Sequence, residues 1–170
     1  MGDILVIEDD EIMLKAIKNI LSKDGYNVLI AKDGKDAFEN IQTKTFDLVL
    51  TDLMMPYANG LEIVSRIRQE EKNNNTGVIV VSSVGNEDTI TEAFRLGADD
   101  YLKKPIMAGE LLIRIRRLLN EKAKNAAAPV APPRVTKTVT AATPRLTKTT
   151  ASDGDTATLV KKKRAKTLKK

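Results

Sequence analysis

Through residue 122 the chain alternates two patterns. Short, nearly continuous apolar runs stand at Ile4–Ile7, Val28–Ala31, Phe46–Thr51 and Val78–Val81, with a shorter one at Tyr101–Leu102. Runs that are apolar at successive positions suit parallel strands covered on both faces. Between them the apolar residues recur every three or four positions. Ile12, Met13, Ala16, Ile17, Ile20 and Leu21 predict one stripe of a first helix, and Leu111, Leu112, Ile115, Leu118 and Leu119 one stripe of the last. Intermediate helices centre on Ala37–Ile41, Leu61–Ile67 and Ile90–Phe94. Asp33 and Asn86 stand where N-caps belong, and Gly25 and Gly97 where helices stop. Asn73-Asn74-Asn75-Thr76-Gly77 breaks the chain before the fourth strand. The pattern predicts an α/β fold, (βα)5, a doubly wound, five-stranded parallel sheet with right-handed crossovers.

In such sheets function gathers beyond the carboxyl ends of the strands. The first strand ends in Glu8-Asp9-Asp10, the third in Asp52, the fourth in Ser82-Ser83, and the fifth runs into Lys103-Lys104-Pro105. Three acids, a hydroxyl and an amine therefore converge on one edge. Carboxylates that close raise each other's pKa unless a cation neutralises them. A hard divalent ion such as Mg2+ does so with oxygen ligands alone. The chain has no Cys and no His, which removes the usual zinc and copper ligands. A lysine beside the acids supplies a point charge for a phosphate oxygen. A metal, a lysine and a carboxylate nucleophile are the parts of phosphoryl transfer. Taken singly, Asp10 caps a helix, Ser82 is a turn hydroxyl, Lys104 a solvated charge and Tyr101 core packing with a polar tip. Four strand ends bearing compatible chemistry at one crevice point to function instead.

Charge divides the chain in two. Residues 1–122 carry 16 Lys and Arg against 21 Asp and Glu, a net of −5, and residues 123–170 carry 12 against 2, a net of +10. The second part is Ala, Pro, Thr and Lys without an aromatic residue, so it is expected to be a disordered tail after a domain ending at 122. Two near-copies, Pro133–Thr138 and Pro144–Thr149, form an imperfect repeat, and a charge run follows, Lys161-Lys162-Lys163-Arg164-Ala165-Lys166, closing in Lys169-Lys170. No apolar run is long enough to cross a bilayer, and no cysteine is present for a disulfide, so a cytoplasmic protein is expected. The tail has three readings: a solvated extension, a non-specific nucleic-acid arm, or a contact with an anionic membrane, the last lacking an apolar face. Nothing in residues 123–170 resembles a sequence-specific DNA reader.

The strand-end motifs resemble the receiver domain of two-component response regulators. The residues that carry the likeness are Ile4–Asp10, then Asp47–Pro56 with Asn59-Gly60, then Val80–Ser83, and Gly97–Pro105. The resemblance covers roughly residues 2–122 and implies the flavodoxin-like strand order 2-1-3-4-5. It makes Asp52 the phosphoacceptor, and makes Glu8 and Asp9, with Asp52 and the backbone carbonyl of Met54, the Mg2+ ligands. Ser82 matches the hydroxyl that turns towards the phosphoryl group, Tyr101 the aromatic switch, and Lys104 the lysine on the phosphate. Pro105 matches the proline after it, commonly preceded by a cis bond, and Ser83 the small residue beside the acceptor. Glu at position 8 and Ser at position 82 replace the commoner Asp and Thr and keep the oxygen. The resemblance further implies a sensor histidine kinase or phosphotransfer protein as donor, an unknown downstream protein as target, and catalysis only of the domain's own phosphorylation and dephosphorylation. An Asp-nucleophile phosphatase is the competing enzyme reading. It is disfavoured because Met54 stands where that chemistry places a second acid.

Overall fold

The computed structural model describes residues 2–127. Its elements in chain order are β1 (Asp3–Ile7), α1 (Glu11–Lys23), β2 (Asn27–Ala31), α2 (Gly34–Thr43), β3 (Leu48–Asp52), β4 (Met54–Met55), β5 (Ala58–Asn59), α3 (Gly60–Gln69), β6 (Gly77–Ser82), α4 (Glu87–Leu96), β7 (Asp100–Lys103) and α5 (Ala108–Ala127). Five strands form one parallel sheet in the order β2-β1-β3-β6-β7, while β4 and β5 make a two-residue antiparallel ladder. Counting the large sheet alone, the order is the expected 2-1-3-4-5. α5 runs past residue 122 to Ala127. The remaining stretch expected to form a basic tail, with its repeat, lies outside the described residues.

The continuous apolar strands divide by parity. Leu5, Ile7, Val49, Val78 and Val80 face a layer built by Ala37 and Ile41 of α2, Ile63, Val64 and Ile67 of α3, and Ala93 of α4. Ile4, Val6, Leu48, Leu50, Ile79 and Val81 face the other layer, with Ile17 and Leu21 of α1 and Leu111, Ile115 and Leu118 of α5. Successive side chains of a strand point to opposite faces, so a strand covered on both sides has no polar position to spare. Each fully buried Ile or Leu contributes roughly 1.5–3 kcal/mol.

The predicted caps form. Asp10, Asp33 and Asn86 accept N–H bonds from the first turns of α1, α2 and α4, and Asn59 closes a capping box with Glu62 on α3. Gly97 ends α4 with φ 107°, where a Cβ would be strained. One helix face departs from expectation. Leu14, Ile17 and Leu21 are buried in α1, whereas Ile12 and Ala16 are exposed. Ile12 precedes Ile17 by five residues and so lies about 140° round the helix from it. The Asn-rich break is not a plain surface turn either. Asn73 is buried, its amide donating to the carbonyls of Ile41 and Lys44 (both 2.8 Å) and its Oδ1 accepting from Phe46 N–H at 3.1 Å.

Candidate functional site

Parallel register brings the chemistry together. Ile7 pairs with Thr51 and Asp52 with Val81, so Glu8 and Asp52 emerge side by side at the carboxyl edge. Ser82 pairs with Lys103, which leaves Lys104 one step beyond the edge. Glu8 and Asp52 are almost fully buried, and Asp9 is exposed. Buried ionised groups require partners, and Lys104 is that partner: its Nζ donates to Asp52 Oδ2 at 2.7 Å and to Glu8 Oε2 and Oε1 at 2.8 and 3.0 Å.

Asp52 is held on both oxygens. Oδ1 accepts from the N–H of Leu53 at 2.6 Å and of Met54 at 3.3 Å, leaving Oδ2 to Lys104. The turn after Asp52 is tight because residue 60 is glycine. A Cβ there would lie 2.1 Å from the Asp52 carbonyl oxygen, while Gly60 N–H bonds the Leu53 carbonyl at 3.0 Å. Ser82 is buried, with Oγ accepting from Val84 N–H at 3.2 Å, and Ser83 is exposed beside it. The Tyr101 hydroxyl donates to the Val84 carbonyl, closing the loop between β6 and α4. The Lys104–Pro105 bond is cis.

Burial pushes the Glu8 carboxyl above its ordinary range, outweighing the Lys104 ammonium that pulls it down. Burial also works against the charge on Lys104, but hydrogen bonds to Asp52 and Glu8 win and raise its pKa. Burial raises the Tyr101 phenol. Glu8, Asp9 and Asp52 each offer an oxygen within 4.8 Å of the others. An all-oxygen set of three carboxylates fits a hard divalent cation that keeps several waters.

The sequence therefore placed Glu8, Asp52, Ser82 and Lys104 at one crevice, and the structure brings all four there. Asp9 and Ser83 stand at its rim. The side chain of Met54 points to solvent, but its N–H on Asp52 puts its main chain at the site. Four participants carry no sequence signal, because they are backbone groups: the N–H groups of Leu53, Met54 and Val84, and the Val84 carbonyl.

A family model, described as the response regulator receiver domain, matches residues 4–116. The chain belongs to that family. Receiver domains are signalling switches rather than classical enzymes. Among curated proteins the chain is similar to the transcriptional regulatory protein CrdR of Helicobacter pylori, 38% identical over 118 residues covering 69% of this chain and 55% of the relative. It is equally similar to CpxR of Escherichia coli, 38% identical over 119 residues covering 70% and 50%. The chain thus spans about half the length of such relatives. Among solved structures, a CheY-like receiver from Methanospirillum hungatei superposes with a TM-score of 0.70 at 28% identity, covering 74% of this chain and 98% of the other. The receiver domain of the sensor histidine kinase PA1611 from Pseudomonas aeruginosa, solved with a magnesium ion in its active-site cleft, gives 0.65 at 25% identity, covering 70% and 98%. Among the described residues of this receiver, no helix is long and apolar enough to cross a membrane.

Proposed function

We propose that this receiver accepts a phosphoryl group on Asp52 from the phosphohistidine of a sensor histidine kinase or phosphotransfer protein. The observation that carries the reading is the placing of Lys104 Nζ between Asp52 Oδ2 and Glu8, in a crevice where three carboxylates converge. With Oδ1 tied to the backbone, Oδ2 is the nucleophile. Oδ2 forms a bond to phosphorus as the phosphorus–nitrogen bond breaks, and the imidazole leaves with the electron pair and takes a proton. Lys104 then passes from the carboxylate to a phosphoryl oxygen, so its charge follows the group being transferred. Glu8, Asp9, Asp52 and the Met54 carbonyl are the residues to hold Mg2+, which when bound supplies charge neutralisation for the phosphoryl oxygens. Ser83, short and exposed, leaves the approach open.

Buried Ser82 stands next to the acceptor edge, and Tyr101 ties the same loop to β7. A phosphoryl oxygen drawing the Ser82 hydroxyl away from Val84 N–H changes that loop and the face made by α4, β7 and α5. The result is a population shift between two states, read by a downstream protein. Water attacking the acyl phosphate returns Asp52 to a carboxylate.

The test is incubation of the full chain with acetyl phosphate and Mg2+, followed by intact-mass measurement. One added phosphoryl group is expected on the parent and none on Asp52→Ala. Equal labelling of the variant would show that Asp52 is not the acceptor.

A further inference from the structure

At the opposite end of the sheet from Asp52, the side chain of Arg68 uses all five of its N–H donors. Nε and Nη2 donate to the Gly97 carbonyl at 3.0 and 2.7 Å, and Nη2 also to Asp99 Oδ2 at 2.8 Å. Nη1 donates to the carbonyls of Asn74 and Thr76 at 3.0 and 2.7 Å. One guanidinium thus joins α3, the loop before β6 and the turn between α4 and β7. Asp99 extends the knot: Oδ2 also accepts from Val78 N–H at 2.8 Å, and Oδ1 lies 3.2 Å from Lys122 Nζ of α5. Gly97 makes the crossing possible, since a Cβ there would come within 2.9 Å of Arg68 Cγ and Nε.

The near end of α4 is held differently. Ser83, Gly85, Asn86, Glu87 and Asp88 are exposed. Ala93 is the one buried residue of α4, against four in α3. The loop leading into α4 hangs on two side-chain bonds, Ser82 Oγ with Val84 N–H and the Tyr101 hydroxyl with the Val84 carbonyl. Ser82 ends β6 at the acidic crevice, and Tyr101 stands within β7, opposite Val80. The helix is therefore clamped at its far end and lightly tethered at the end that faces Asp52.

We propose that Arg68 and Asp99 anchor α4 at Gly97, so that the helix answers phosphorylation by swinging about its C-terminal end. The inference rests on Asp52 being the acceptor and says how that event is transmitted. Sliding or rotating α4 as a unit would strip the Gly97 carbonyl from two donors and leave a half-buried guanidinium short of partners. Moving only the N-terminal end breaks the two Val84 contacts, whose partners can reorient. Arg68 is a positioning residue: it touches nothing in the crevice.

The test is amide hydrogen exchange on the full chain, with Mg2+ and with or without beryllofluoride as a phosphoryl probe. Without the probe, Gly97 and Ala98, bonded to the carbonyls of Phe94 and Ala93, are expected to exchange on the order of ten-fold more slowly than Thr89 and Ile90. Arg68→Gln is expected to raise exchange at Gly97 and Ala98 by roughly ten-fold and leave the β1 and β3 amides unchanged. Arg68→Lys, which keeps the charge facing Asp99 but not the fork, is expected to fall between. Adding the probe to the parent is expected to change exchange from Val84 to Ile90 and not at Gly97 and Ala98, whereas in Arg68→Gln the change spreads through Gly97. Equal probe-induced change at both ends of α4 in the parent overturns the proposal, and that arm decides even if the variants fold poorly. So does an unaltered Gly97 and Ala98 in Arg68→Gln. Leu53 and Met54 amides that ignore the probe would instead show that Asp52 is not the acceptor, and the swing falls with that reading while the probe-free arms still judge the anchor.

Discussion

Replacing Lys104 with Met removes the one cation that lies between two buried carboxylates and leaves a side chain of similar length. In the parent, Nζ makes three charge-assisted bonds of 2.7–3.0 Å to Asp52 and Glu8. Without it, Glu8 and Asp52 face each other with oxygens no more than 4.8 Å apart. At an effective dielectric of about 20, two unit charges at that distance repel by roughly 3.5 kcal/mol. One carboxyl can escape by taking a proton. From an ordinary value of 4.5, doing so at pH 7 costs about 3.4 kcal/mol at 1.36 kcal/mol per pH unit. The two routes cap the penalty at a similar level, so Lys104→Met is expected to lose about 2–3.5 kcal/mol at pH 7 in EDTA. The protonation route becomes cheaper in acid, so the loss shrinks towards pH 5. Millimolar Mg2+ is expected to stabilise the variant more than the parent, because the ion meets two carboxylates no longer neutralised by an ammonium. Urea unfolding followed by far-UV circular dichroism, at both pH values with and without Mg2+, reads all of this. A variant as stable as the parent in EDTA, or an equal Mg2+ effect on both, would refute the electrostatic account of the crevice.

Three further outcomes are expected. Glu8 has a folded-state pKa above its unfolded one, so the folded state binds that proton first, and the ionised form counts against the fold above the ordinary pKa. In EDTA, lowering the pH from 7.5 to 4.5 should therefore stabilise the parent relative to Glu8→Gln, as measured by urea midpoints; a relative loss would contradict the sign. Asn73→Ala removes the amide that bridges Ile41, Lys44 and Phe46 and leaves buried backbone groups unpaired, for a loss of about 2–3 kcal/mol in chemical denaturation. Gly60→Ala puts a methyl group 2.1 Å from the Asp52 carbonyl oxygen. It is expected to cost roughly 2 kcal/mol or more and to slow acetyl phosphate labelling by displacing the acceptor turn, and a variant with parental stability and rate would contradict it.

What the sequence determined by itself was the order and type of the main elements and the chemistry at their ends. Those are coded locally: short, β-branched, continuous apolar runs such as Val78–Val81 suit covered strands, and Asp33, Asn86 and Gly97 are residues whose short side chains, or lack of one, suit helix ends. Parallel strands must also present their carboxyl ends together, which is why Glu8, Asp52, Ser82 and Lys104 could be assembled without coordinates. The tertiary structure decided what depends on rotation and register. Leu14 rather than Ile12 is buried, because Leu14 shares the helix face of Ile17 and Leu21, the residues of α1 that pack into the core. Lys104 meets Glu8 across 96 positions of chain because Ser82 pairs with Lys103 and Ile7 with Thr51. In the sequence Asn73 reads only as part of a chain break and Arg68 carries no signal, yet in the fold backbone carbonyls close on both side chains. A polar side chain looks the same in sequence whether water or backbone satisfies it, and only the folded chain says which.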